Sequence, residues 1–308
     1  MRGMILGAGL GTRMLPLSAL RPKPAMPVRG LPLVAYALAL LARHGAREVA
    51  INLHHLPDAI EAAAQRHRPA GLGLRFSRER RLLGTGGGIR ALADWLRGSD
   101  PCVILGGDML LDADLGALLR RHRERGDAVT LLLRRDARGA TFGRIGVDAE
   151  GRVRRIGSRF DLGGETAAGV YAHATIVSAR ALDSLPAEGA FGHLDGWLMP
   201  RLAAGADDVR GEVVGPQACV WEPVGTPGEY LRVNLRPPKL SYLDADAVAR
   251  SLGTRFEEGL VIGAGARLGA GARLERAVVW DGEVVPAGFR GRDGVFAGGS
   301  FHPCGEVE

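Results

Sequence analysis

Short apolar runs alternate with helix-period stretches along the first two-thirds of the chain. Residues 3–8, 48–53, 72–77, 102–106 and 129–134 read as buried strands, while 33–44, 57–67, 88–97 and 115–123 repeat apolar side chains at helical spacing. That alternation predicts an α/β fold, with a Rossmann-like, mostly parallel mixed sheet carrying helices on both faces. Residues 153–159, 166–173, 209–214 and 219–221 read as further strands, and 195–204 as a helix. Ligands of such sheets gather beyond the carboxyl ends of the strands. Residues 9–13 and the pair Gly107-Asp108 both follow strand ends, so they are expected to line one crevice.

The texture changes near the C-terminus. Arg236-Pro237-Pro238 interrupts the pattern and marks a boundary. Beyond residue 258 the apolar residues Ile262, Leu268, Leu274 and Trp280 recur every six residues, with glycine and alanine between them. A hexad with an apolar corner is the mark of a parallel β-helix, in which each coil stacks on the last. The expected organisation is an α/β domain over 1–236, a linker over 237–258 and a short hexapeptide-repeat tail over 259–308.

Composition narrows the function classes. The net charge is +6, but the arginines are scattered and aromatic residues are 5% of the chain, too few for base-stacking platforms. No nucleic-acid partner is expected; mild basicity equally suits small anionic substrates. Hydrophobic residues make up 46%, without a run long enough to span a bilayer, so no membrane partner is expected. Met1-Arg2-Gly3 leads straight into an apolar strand, with no secretory pattern expected. Three distant cysteines, Cys102, Cys219 and Cys304, suggest reduced thiols and a cytoplasmic location.

Two of the 40 basic residues are lysines, Lys23 and Lys239. Lys23 sits in Arg21-Pro22-Lys23-Pro24, ten residues after Arg13 of the glycine-rich run Gly7-Ala8-Gly9-Leu10-Gly11-Thr12-Arg13. Glycines let backbone amides face an anion, and a compact ammonium holds phosphate as a point charge. The run is neither Gly-x-Gly-x-x-Gly, since Met14 holds the third glycine position, nor a Walker loop. The prolines that follow impose a stiff path able to return Lys23 toward Arg13.

These motifs resemble the signature of the sugar-1-phosphate nucleotidylyltransferases, the NDP-sugar pyrophosphorylases. The resemblance continues through Leu83-Gly84-Thr85-Gly86-Gly87-Gly88-Ile89, Gly107-Asp108 and Gly225-Thr226-Pro227-Gly228-Glu229-Tyr230-Leu231, over roughly residues 3–235. It is similar above all to the mannose-1-phosphate guanylyltransferase and N-acetylmuramate-1-phosphate uridylyltransferase branches. The resemblance implies that an NTP (GTP, UTP or dTTP) and a sugar 1-phosphate give NDP-sugar and pyrophosphate, with Mg²⁺ as cofactor. It also implies a left-handed hand for the β-helix tail, through which a homo-oligomer could form.

Carried over by position, the nucleotide side is Leu6, Ala8, Gly9, Gly11, Thr12, Arg13, Gly84, Thr85, Gly86, Gly87 and Gly107. Arg13 and Lys23 would hold phosphates, Asp108 would ligate the metal with Asp112 assisting, and the base would meet the stretch Glu79 to Thr85. The acceptor side departs from the family pattern. Where a metal-binding aspartate is usual the chain has Pro223, leaving Glu222 as a possible second ligand. Arg159 stands in for a lysine that grips the sugar phosphate, and Gly169, beside Ala168, falls where a polar neighbour commonly contacts the sugar. A catalytically impaired relative that binds nucleotide or NDP-sugar, acting as a regulatory or structural subunit, is therefore the alternative reading.

Overall fold

The fully apolar run Gly3 to Leu6 can only be a strand covered above and below, and it becomes the centre of the sheet. A computed structural model describes residues 1–305. Strand β1 (Arg2–Leu6) lies between β2 (Glu48–Leu53) and β4 (Cys102–Gly106), parallel to both, with β3 (Gly73–Arg78) beyond β2. Helices α1 (Leu33–Arg43), α2 (Pro57–Arg66) and α3 (Gly84–Ala91) connect them. The chain thus winds outward from β1 to β3 and then returns to the other side of β1, placing a topological switch point between β1 and β4.

Burial follows the two-residue period. Met4, Ala50, Ile104 and Leu131 enter one apolar cluster; their neighbours Ile5, Ile51, Leu105 and Leu132 enter the other. Past β4 the sheet becomes mixed. After β5 (Met109–Ala113) and α4 (Leu115–Arg125), β6 (Val129–Arg134) pairs antiparallel with β7 (Ala167–Val177), which itself runs antiparallel to β4; β8 (Val209–Val214) is parallel to β6. Strand β9 (Cys219–Pro223) pairs with β5 and leads into α5 (Pro227–Leu235).

Several expectations are revised. Helix α3 starts at Gly84, inside the glycine run, four residues before the expected onset. The strand expected at 153–159 stops at Ile156, because Gly157 turns the chain at φ 57°. Strand β7 runs four residues past the expected end, through a register shift between Tyr171 and Thr175, with His173 at φ 52°.

Residues 237–258, the expected linker, carry structure of their own. They hold the helix Ala245–Ser251 and the strand Arg255–Glu257. Ser241 donates both its backbone N–H and its hydroxyl to Asp112, and Arg29 Nε donates to Asp246 at 2.7 Å. Both carboxylate oxygens of Asp112, expected to assist at the metal, are therefore engaged by this strap. In the tail, Leu260–Ile262, Arg273–Val279 and Arg290–Ala297 pair in parallel, with Leu260 beside Ala277 and Ala277 beside Gly294. Ile262, Leu268 and Leu274 pack within the tail's own small cluster. Trp280 does not: with Val261, Val278 and Val295 it joins Met14, Leu17, Met26 and Tyr230 in a cluster shared with the first part of the chain.

Candidate active site

At the carboxyl ends of three adjacent parallel strands, Asn52, Leu6 and Gly106 stand side by side. The glycine-rich run leaves β1 here and Asp108 leaves β4. Gly107 donates its N–H to Leu6 O at 3.1 Å, tying the two departures together. A side chain on Gly107 would place Cβ 2.7 Å from that oxygen, so only glycine permits the approach. Between them opens a cleft of about 220 Å³, lined by Leu6, Ala8, Gly9, Gly11, Lys23, Asn52, Glu79, Leu82, Gly84, Thr85, Asp108 and His173 among others.

The cleft holds one ammonium, Lys23, beside the carboxylates of Asp108 and Glu79. Lys23 is 8% exposed, in a short 3₁₀ turn, Lys23–Ala25, that follows the extended Pro22. Its Nζ lies 3.5 Å from Asp108 Oδ2, and the aspartate side chain is 46% exposed. A buried ammonium therefore faces a half-open carboxylate across the mouth. Gly11 adopts φ 66°, the left-handed region, and its α-carbon lies against the Lys23 stem. Among the described residues, none accepts a hydrogen bond from the backbone N–H groups of residues 8–13. Such a row of free amides is an anion-binding concavity. Arg13 leaves the same loop and lays its guanidinium over Gly225 beside the Glu229 carboxylate.

The Gly225-Thr226-Pro227 motif has a structural explanation. Thr226 caps α5 through Glu229 N–H, and Glu229 Oε2 accepts from Gly225 and Thr226 N–H at 2.7 and 3.0 Å. The absence of a side chain at Gly225 makes room for Arg13.

The opposite wall is held by a polar chain that sequence reasoning missed. Gly7 N–H donates to Asn52 Oδ1 at 3.0 Å, Asn52 Nδ2 to Glu79 Oε1 at 2.7 Å, and Leu83 N–H to Glu79 Oε2 at 3.0 Å. Asn52 and Glu79 are both buried, so the network must be complete, and it fixes the glycine-rich loop relative to the segment that follows β3. Thr85 accepts from His193 N–H at 2.9 Å and bonds His193 Nδ1 at 2.8 Å; the other ring nitrogen contacts Tyr171 Oη at 3.2 Å. Burial drives the His193 pKa down to about 3, and His173 adds to that. His173 stacks on Tyr171 with centroids 4.8 Å apart and turns its ring into the cleft. Its surface is open to the cavity, yet the surrounding protein is dense enough for desolvation to lower its pKa, against the opposing charge of Asp108. A bulge that forces a non-glycine residue to positive φ is a device for re-aiming a side chain, and His173 is the result.

Not every expected residue lines the cleft. Thr12, Arg13, Gly86, Gly87 and Gly107 are not part of its wall. Gly86 and Gly87 owe their lack of a side chain to internal packing: Cβ atoms there would sit 2.3 Å from the Phe191 ring and 2.9 Å from Leu83 Cβ. Gly169 packs against β6, where a Cβ would lie 3.0 Å from Arg134 O; His173, four residues on, is what reaches the cavity. Arg159 is exposed and pairs with Asp195 at 3.4 Å. Glu222 is held by Arg232 at 2.7 Å and Arg138 at 3.4 Å, so its carboxylate is occupied. Among the described residues no group of three or more His, Cys, Asp or Glu side chains is arranged to hold a metal ion. Asp108 by itself suits a hard cation that arrives with phosphate oxygens and keeps its waters.

A family model described as nucleotidyl transferase matches residues 2–238. The chain belongs to the nucleotidyl transferase family. The mannose-1-phosphate guanylyltransferase of Mycobacterium tuberculosis is 32% identical over 300 residues, 92% of this chain and 81% of that protein. The UTP–glucose-1-phosphate uridylyltransferase of Synechocystis is 30% identical over 50% of this chain and 42% of its own length. HddC from Yersinia pseudotuberculosis, solved with GMP-PN, superposes at a TM-score of 0.61 over 76% of this chain and 97% of its own, at 20% identity, a likeness of fold. As in other α/β folds the nucleotidyl transferase keeps its cleft at the switch point of the sheet. No helix of the described residues is long and apolar enough to cross a membrane.

Proposed function

We propose that this nucleotidyl transferase joins an NTP to a sugar 1-phosphate, forming NDP-sugar and pyrophosphate. The observation that carries the reading is the pairing of buried Lys23 with half-open Asp108 beneath unengaged amides. In the reaction an oxygen of the sugar phosphate attacks the α-phosphorus in line, a new P–O bond forms, and the bond to the β-phosphate oxygen breaks. The protein's share is positioning and charge compensation. Amides of residues 8–13 receive phosphate oxygens. Lys23 leaves Asp108 for the α-phosphate oxygens, where charge gathers. Arg13 swings from Gly225 and Glu229 to hold the departing pyrophosphate. Asp108, once released by Lys23, would hold Mg²⁺, which would supply Lewis-acid neutralisation of the phosphates.

The base lies against Leu82, Gly84 and Thr85, on the segment braced by Glu79. The mycobacterial relative supports GTP as the first nucleotide to test and mannose 1-phosphate as the first acceptor. The acceptor side is formed around His173, which takes the place expected of Gly169. Residues 259–305 are read as a short left-handed parallel β-helix; the parallel pairing of Leu260–Ile262, Arg273–Val279 and Arg290–Ala297 supports the parallel coil, and the hand follows from the family resemblance alone. The deciding experiment is pyrophosphate release from each of GTP, UTP, ATP, CTP and dTTP against a panel of sugar 1-phosphates with Mg²⁺. Product from any pair supports turnover. Tight nucleotide binding without product from any pair would overturn it in favour of a nucleotide-binding subunit, the reading that the occupied Glu222 favours.

A further inference from the structure

We propose that Asp281, in the tail, is a positioning residue for Lys23: it grips Arg21, and through Arg21 and Pro22 it sets where the lysine ammonium stands. The inference rests on the phosphate role of Lys23 given above. Arg21 Nη1 lies 2.8 Å from Asp281 Oδ1 and Nη2 3.5 Å from Oδ2, while its guanidinium carbon is 4.7 Å from the centroid of the Trp280 ring. The guanidinium is thereby fixed in direction as well as in place. Lys23 lies two positions beyond that anchor, with Pro22 between. Arg21 is extended at φ −151°, ψ 131°, and Pro22 is extended at φ −68°, ψ 147°, with its ring locking φ. A stiff extended pair transmits a displacement of one end to the other.

The far side of the lysine turn is held by the same piece of tail. Trp280 Nε1 donates to Tyr230 Oη at 2.9 Å, and Tyr230 Oη donates to Pro27 O at 2.5 Å. Neighbouring tail residues, Trp280 and Asp281, therefore hold the segment on both sides of Lys23–Ala25. Arg21, Trp280 and Asp281 border one cavity of about 550 Å³, walled also by Ala63, Arg66, Val279 and Gly282 among others. Without Asp281 the guanidinium has room to swing. The ion pair is partly exposed, with side-chain exposures of 28% for Arg21 and 50% for Asp281, so it contributes little to global stability. Its value is geometric.

The test uses the full-length chain with the variants Asp281→Ala, Asp281→Glu, Lys23→Ala and the double variant Lys23→Ala/Asp281→Ala. Asp281→Ala is expected to lower kcat about tenfold and to weaken NTP binding, with the affinity for the bare nucleoside and the melting temperature close to the parent's. Asp281→Glu is expected to restore most of the loss. In the Lys23→Ala background, removing Asp281 is expected to cost nothing further, because the latch acts through the lysine. Parental kcat and NTP affinity in Asp281→Ala would overturn the proposal, as would losses that multiply in the double variant. Should Asp281→Ala fail to fold, Arg21→Gln cuts the same link, with the same expected results and the same overturning ones. Parental turnover in Lys23→Ala would overturn the phosphate role itself, and the latch with it.

Discussion

Gly11 and Lys23 share one packing contact: a methyl group on the glycine would stand 3.3 Å from Lys23 Cγ and 3.4 Å from Cε. The left-handed turn at Gly11 and the course of the lysine stem are therefore one feature. Gly11→Ala adds strain of about 1 kcal/mol at positive φ and pushes the stem aside. Binding measurements should show NTP affinity falling about tenfold with nucleoside affinity unchanged. Equal loss for both ligands would place the damage elsewhere.

Lys23→Ala should reduce turnover by more than tenfold while far-UV circular dichroism stays that of the parent. Lys23→Arg should not restore the rate, because a planar guanidinium does not fit the pocket that Gly11 leaves for a compact ammonium.

Asp108→Asn should move the half-saturating Mg²⁺ concentration upward, since an amide oxygen is a poorer ligand for a hard cation. Glu222→Gln should leave that titration unmoved and instead lower stability by about 1 kcal/mol, through the loosened Arg138 and Arg232 contacts. A shift in the metal curve of the Glu222 variant would return that residue to the metal site.

How much of this was legible in the chain follows from burial and chain path. The runs of β1 and β4 are apolar on both faces, so they could be placed before any coordinates, and their motifs met because the strands are neighbours at the switch point. Asn52 gave no signal, and Glu79 stood only as the start of the stretch expected to meet the base: a polar residue at a strand end is ordinary, and their mutual hydrogen bond spans 27 positions. Gly84 to Gly87 fell outside the expected helix because helix propensity disfavours glycine, yet proximity to Phe191 demands glycine at 84 and 86. His173 was invisible because a bulge, not a spacing, aims it into the cleft.

Gly86→Ala tests that explanation of the glycine run. Its Cβ would press into the Phe191 ring at 2.3 Å, so unfolding should become easier by about 1–3 kcal/mol. Adding Phe191→Ala should recover part of the clash, a coupling readable in a double-mutant cycle.

Stability should fall on acidification below neutrality. Burial lowers the pKa of His122 to about 4 and that of His193 to about 3, from 6.5. The unfolded chain takes up protons near pH 6.5 that the folded chain refuses until far lower, so the stabilisation is present above 6.5 and lost as pH drops toward 4. Each histidine contributes on the order of 2 kcal/mol between pH 6.5 and 5. Denaturant titrations at pH 7 and pH 5 check it; His122→Asn should flatten the dependence.

The cluster that joins Met14 and Tyr230 to Trp280 and Val295 has a consequence for biosynthesis. On the ribosome, the segment bearing Lys23 emerges early but stays without its apolar backing until the last strands of the chain have left the exit tunnel. Chains that stop short of Trp280 and Val295 therefore carry the Lys23 segment without this packing, and its ordering waits until residues 278–297 are made.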